Sequence, residues 1–163
     1  LNLRGCGLRT VPAFVCKLES LEILTLECNH LSSLPKELGE LSGLTKLDLS
    51  YNQNLGTALL ANEAFPAELG GMESLRELSL SWCGLRAVPA FVGELESLQV
   101  LHLFGNEDLQ IDAPLDFLLE GCPRLREVCL FNPSRWARGS MVHLQAFKAK
   151  LYAKNPRARV APW

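Results

Sequence analysis

The 163-residue chain has no apolar run near the ~18–20 residues of a membrane span, so no transmembrane helix is expected. It has little that looks like chemistry. Its three histidines, His30, His102 and His143, lie far apart, and no H-E-x-x-H, zinc-ligand spacing, G-x-x-x-x-G-K-[ST] or G-x-S-x-G is present. No catalytic residue, metal site, cofactor or small-molecule substrate is therefore expected. There is no C-x-x-C, and no N-x-S/T acceptor with x other than proline. The six cysteines, at 6, 16, 28, 83, 122 and 129, are dispersed, which favours reduced thiols and an intracellular, cytoplasmic setting. Acidic residues are missing from the end of the chain. All 18 Asp and Glu lie at or before Glu127, whereas seven of the 16 Lys and Arg follow it. Residues 1–127 thus carry 9 − 18 = −9 and the last 36 residues +7.

What is present is a repeat. The segments LEILTLECNHLSSLPKELGELSG from Leu21 and LRELSLSWCGLRAVPAFVGELES from Leu75 fit one pattern, L-x-x-L-x-L-x-x-N/C-x-L-x-x-L/V-P-x-x-L/V-x-x-L-x-x. Units open at Leu21, Leu44, Leu75, Leu98 and Leu125, giving spacings of 44 − 21 = 23, 75 − 44 = 31, 98 − 75 = 23 and 125 − 98 = 27. The 31 and 27 are the 23-residue period with insertions of eight and four. Residues 1–20 are the same unit without its first three positions. The pattern is under way at Leu1, and the chain is read as part of a longer protein.

Each position has a physical task. In L-x-L the backbone is extended, so both leucines point one way and the residue between them the other. Strands of successive units stack in parallel. The N/C position, here Cys6, Asn29, Asn52, Cys83 and Asn106, must satisfy backbone groups that the turn leaves unpaired. Pro12, Pro35, Pro66 and Pro89 fix φ where the chain turns back. The triplets Val15–Leu18–Leu21, Leu38–Leu41–Leu44 and Val92–Leu95–Leu98 have a period of three, which predicts short 3₁₀ turns. One unit cannot cover its own apolar face, so neighbouring units must supply the cover.

These repeats resemble the intracellular, Ras-suppressor-like class of leucine-rich repeats. The resemblance covers residues 1–131 and implies a right-handed α/β solenoid, a horseshoe of five to six units. A parallel sheet would line its concave face, with short helical or 3₁₀ turns on the convex side. It also implies a scaffold or regulatory binding domain. Residues 132–163 are expected to form a C-terminal cap. Ser140 is expected to cap a helix starting at Met141, with Met141, Leu144, Phe147 and Leu151 on one face. Asn155-Pro156 should end it, and Arg157–Trp163 should form a final strand.

Two insertions interrupt the period. In the first, Ala58–Leu59–Leu60–Ala61 is read as a loop or an added helical turn. In the second, Leu115, Leu118 and Leu119 suit a fuller helix. The acids Asp108, Asp112, Asp116 and Glu120 lack the D-x-D-x-D-G order of a calcium loop and read as a solvated face. Cys83 and Cys6 are expected to be structural and Cys122 to be buried. Cys28 and Cys129 are placed near the open face.

The strand register defines the concave face in rows. The third position gives Ile23, Lys46, Glu77, Val100 and Glu127. The fifth gives Asn2, Thr25, Asp48, Ser79, His102 and Cys129. The seventh gives Arg4, Glu27, Ser50, Ser81, Phe104 and Phe131, and the eighth Gly5, Cys28, Tyr51, Trp82, Gly105 and Asn132. Aromatic residues on a strand's outward face are not needed for a core that leucines already fill. Trp82, Phe104 and Phe131, with Tyr51, Val100 and His102, are therefore the candidate partner-binding residues. Glu27, Asp48, Glu77 and Glu127 form a candidate acidic belt, of which the first three join the aromatic group as binding candidates. The expected function is protein–protein recognition through this face, as a regulatory or scaffolding part of a larger intracellular protein. Two alternatives stay open. One is nucleic-acid or anionic-membrane binding through the basic end. The other is substrate recognition for a catalytic domain outside the chain.

Overall fold

The computed structural model describes residues 1–57, 64–110, 115–130 and 138–162, of which residues 138–144, 161 and 162 are described in backbone only. Its frame is a six-stranded, wholly parallel sheet in sequential order: β1 (Ile23–Thr25), β2 (Lys46–Asp48), β3 (Glu77–Ser79), β4 (Val100–His102), β5 (Glu127–Leu130) and β6 (Arg159–Pro162). Asn2 adds an isolated bridge to Thr25 at the β1 edge. The register runs Ile23–Lys46–Glu77–Val100–Glu127 in one row and Thr25–Asp48–Ser79–His102–Cys129 in another, the rows that the L-x-L spacing predicts. Between them, Leu24, Leu47, Leu78, Leu101 and Val128 are essentially inaccessible.

The return path on the convex side is made of 3₁₀ turns at Val15–Lys17, Lys36–Glu40, Ala67–Gly71 and Ala90–Glu94. Pro35, Pro66 and Pro89 occupy the entry to the last three. The turns pack on one another so closely that side chains are excluded between them. A Cβ on Gly39 would lie 1.9 Å from the Glu68 carbonyl oxygen. Phe65 and Phe91, buried on this side, stack at 5.8 Å. The first triplet is less well covered than its period suggests, since Val15 is buried but Leu18 is exposed.

In the second insertion the expected fuller helix forms as α1 (Asp116–Gly121), burying Leu118 and Leu119. The first insertion's Ala58–Ala61 segment lies outside the described residues. Helix α2 (Arg138–Lys154) begins three residues before the expected Met141, so Ser140 lies inside it rather than capping it. Phe147 and Leu151 are buried, as their spacing requires. β6 then pairs with β5 through Glu127–Arg159 and Val128–Val160 and extends the sheet by one strand. The basic end is held to the body by charge: Lys150 Nζ lies 2.6 Å from Asp116 Oδ2, and Lys154 donates to the Leu119 carbonyl.

Candidate binding face

The turns out of β1 to β4 are built by the polar ladder. Asn52 Nδ2 donates to the carbonyls of Leu26 (3.0 Å) and Leu49 (2.8 Å), and its Oδ1 accepts from the Leu31 N–H. Asn106 does the same for Leu80 and Leu103, and its Oδ1 accepts from the N–H groups of both Cys83 and Leu85. Asn29, Asn52 and Asn106 are buried, so these bonds satisfy groups that water cannot reach. Cys83 fills the same position with a weaker donor, its Sγ 3.2 Å from the Leu49 carbonyl oxygen. Burial pushes the Cys83 thiol up to about 12, so it stays protonated at neutral pH.

Just before each ladder residue stands the eighth position of the repeat. Its backbone is left-handed throughout: Gly5 at φ 65°, Cys28 at 58°, Tyr51 at 59°, Trp82 at 56° and Gly105 at 75°. This conformation suits glycine and costs other residues about 1–2 kcal/mol. Hydrogen bonds between repeats hold it in place. The N–H groups of Gly5, Cys28, Tyr51 and Trp82 donate to the carbonyls of Glu27, Ser50, Ser81 and Phe104 in the following units. Three successive repeats must therefore accept a bulky or thiol side chain where the flanking ones carry glycine.

The two aromatic residues so placed form a stack. Tyr51 and Trp82 lie 5.8 Å apart, 12° from parallel, and Trp82 meets Phe104 edge-on at 5.6 Å. Tyr51 is 48% exposed, and Trp82 and Phe104 are partly exposed. Trp82 also lies over Gly105, where a Cβ would fall 2.2 Å from the indole Cδ2. Beyond the stack, a cleft of about 920 Å³ opens toward the loops, with Trp82, Gly105, Val88 and Pro89 in its wall.

Val100 and His102 are half-buried on β4, the strand that leads to Phe104. Of the expected aromatic group, Phe131 lies outside the described residues. The acidic candidates are less uniform than a belt. Glu27 pairs with Arg4 at 3.0 Å, and Glu77 pairs with Lys46 at 2.7 Å, with His102 Nε2 3.8 Å away. Asp48 accepts the Ser50 N–H. Glu27 and Glu77 are thus each paired with a base from a neighbouring repeat. Ser50, expected on the open face, is buried with its Oγ 2.6 Å from Ser79 Oγ. Cys129 is half-buried, and desolvation together with Glu127 pushes its thiol up to about 11, which removes it as a nucleophile at neutral pH. Cys122, buried as expected, is raised by burial to about 11. No cluster of His, Cys, Asp or Glu suited to a metal occurs among the described residues, and no described helix is long and apolar enough to cross a membrane.

An open parallel sheet lining a concave face, closed behind by 3₁₀ turns and laddered by asparagine, defines a repeat solenoid built to present a surface. The family profile "Leucine rich repeat" matches residues 1–53. The chain is 31% identical over 150 residues to TMV resistance protein N of Nicotiana glutinosa, covering 75% of this chain and 13% of that protein. It is 52% identical over 61 residues to a leucine-rich repeat and calponin homology domain-containing protein of Drosophila melanogaster, covering 37% and 7%. The chain thus spans a small part of the length of these relatives. Among solved structures, internalin C2 of Listeria monocytogenes superposes with a TM-score of 0.62 at 19% identity, over 99% of this chain and 68% of that one, which shows a shared fold. The chain is a leucine-rich-repeat protein. The Ras-suppressor-like class of its repeats rests on the sequence pattern alone.

Proposed function

We propose that the chain recognises a partner protein through its concave face, as a regulatory or scaffolding part of a larger intracellular protein. Leucine-rich-repeat solenoids commonly mediate protein–protein interaction, using the extended concave surface that stacking creates. One observation carries the reading for this chain. Tyr51 and Trp82 are held at left-handed φ on the open face, stacked on each other with Trp82 against Phe104, and fill no part of the leucine core. Backbone strain of this kind, about 1–3 kcal/mol per residue, concentrates at functional sites. Aromatic anchors of this size dominate the energy of protein interfaces. The basic end is the weaker candidate for contact with nucleic acid or membranes, because Lys150 and Lys154 are engaged with α1.

The test is affinity capture from cell lysate with the wild-type chain beside a Trp82→Ala/Phe104→Glu double variant, with folding checked by circular dichroism. Loss of captured proteins with the fold intact supports the concave face. An unchanged set moves the site to the insertions or to the basic end. Recovery of nucleic acid or lipid by both would favour the basic end.

A further inference from the structure

The ring stack borders a different hollow at each end. Trp82 lies over Gly105, meets Phe104 and borders the larger cleft, whereas Tyr51 borders a recess of about 330 Å³. This recess lies between the second and third repeats and is lined by Cys28, His30, Gln53 and Asn54 as well as Tyr51; Trp82 takes no part in it. Cys28 is the eighth-position residue of the preceding repeat. Here the column of side chains drops from a ring to a thiol, and the recess lies beside Tyr51 and Cys28. No Lys or Arg lines the gap. On the concave side, Glu27 precedes Cys28 and receives its Sγ–H at 3.7 Å, and Asp48 stands in the next strand. The Glu27–Arg4 pair is exposed on its arginine side and can exchange partners.

Resting on the reading of the concave face as the binding site, we propose that the gap beside Tyr51 receives an arginine side chain of the partner protein. Its guanidinium plane would continue the Tyr51–Trp82 stack over Cys28. Arginine matches the site in three respects. It is flat, so it fits a gap bounded by a ring. It stacks on aromatic faces through cation–π attraction while keeping its N–H edge free for hydrogen bonds. Its positive charge suits a body whose first 127 residues carry −9, with Glu27 and Asp48 at the approach. Arg9 borders the adjoining recess beside His30 and Asn54, which disfavours a cation on that side, whereas Glu27 directly precedes Cys28. Lysine carries the same charge as a compact, strongly hydrated point and lacks the plane.

The experiment titrates the isotope-labelled chain with three blocked peptides, (Arg-Gly)₆, (Lys-Gly)₆ and (citrulline-Gly)₆, following amide shifts at constant low salt. Saturable shifts at residues 28–30 and 51–54 are expected, with (Arg-Gly)₆ at least about threefold tighter than (Lys-Gly)₆, as an exposed cation–π contact allows. Citrulline keeps the plane without the charge and should bind more weakly than arginine. Tyr51→Phe should retain the preference. Tyr51→Gly, which relieves the left-handed φ and so keeps the fold, should abolish it. Equal affinity for the arginine and lysine peptides, shifts centred elsewhere, or an unchanged preference in Tyr51→Gly would each overturn the assignment. If the Trp82/Phe104 variant lost its captured partner while no arginine preference appeared, the arginine site alone would fail and the concave-face reading would stand.

Discussion

Gly105→Ala tests whether the aromatic stack is a built feature or a surface accident. The added methyl meets two separate obstacles. At φ 75° an alanine pays the left-handed penalty, about 1–2 kcal/mol. Its Cβ would also lie 2.2 Å from Trp82 Cδ2 and 2.4 Å from Cε2, far inside contact distance. The indole must therefore swing out, and its contacts with Tyr51 and Phe104 weaken together. Aromatic pairs contribute about 0.5–1.5 kcal/mol each beyond their buried area. The sum is roughly 2–5 kcal/mol of destabilisation, or about 1–2.5 M in urea midpoint for a slope near 2 kcal/mol/M. The assay is urea unfolding followed by both far-UV circular dichroism and tryptophan fluorescence, with near-UV circular dichroism reporting the rings. Tyr51→Gly serves as the counterpart, because relief of its strain offsets the lost ring contact and stability should change little. A Gly105→Ala protein within about 0.5 kcal/mol of wild type, with an unchanged near-UV spectrum, would refute the argument.

Three further outcomes are expected. Phe104→Glu should weaken partner capture with the fold intact, whereas Leu101→Glu, at a position with no solvent exposure, should unfold the chain; circular dichroism of both variants tests the register, since a slip of one residue would exchange their effects. Asn106→Ala should cost about 3 kcal/mol or more in thermal or urea unfolding, because it strands the N–H groups of Cys83 and Leu85 and the carbonyls of Leu80 and Leu103 in the interior. Stability should fall as pH rises from about 9 toward 12: the buried Cys83 and Cys122 thiols, raised to about 12 and about 11, hold their protons in the folded state after the unfolded chain has lost them, so their contribution is full below 9 and fades above it. Alkylation with iodoacetamide at pH 8 should correspondingly spare both until the chain is denatured.

The sheet register was legible because the side-chain period of a strand is two, and a leucine at every inward position leaves one way to assign the faces. Every row from Ile23 to Glu127 follows from that. The asparagine ladder was legible for a similar reason, since a buried polar residue at a fixed offset must have a fixed set of partners. What escaped was anything decided by side-chain direction. The spacing puts Tyr51 and Trp82 in one row but says nothing of their parallel rings, nor of the indole lying on Gly105. The acids read as a belt because the pairing of Lys46 with Glu77 depends on where long side chains reach. The early start of α2 carried no signal, because Ser140 is a strong capping residue in sequence and an ordinary interior one here.

Tyr51 and Trp82 are separated by 31 residues of chain, and Trp82 and Phe104 by 22, yet the three rings touch. Their contact exists only while three neighbouring repeats are docked, because each ring is carried by a different unit. With Trp136 and Trp163 replaced by phenylalanine, the indole of Trp82 is thus a gauge of cooperativity in the middle of the solenoid. If the array unravels from an end, its fluorescence will lag behind the loss of secondary structure; if the repeats melt as one, the two signals will coincide.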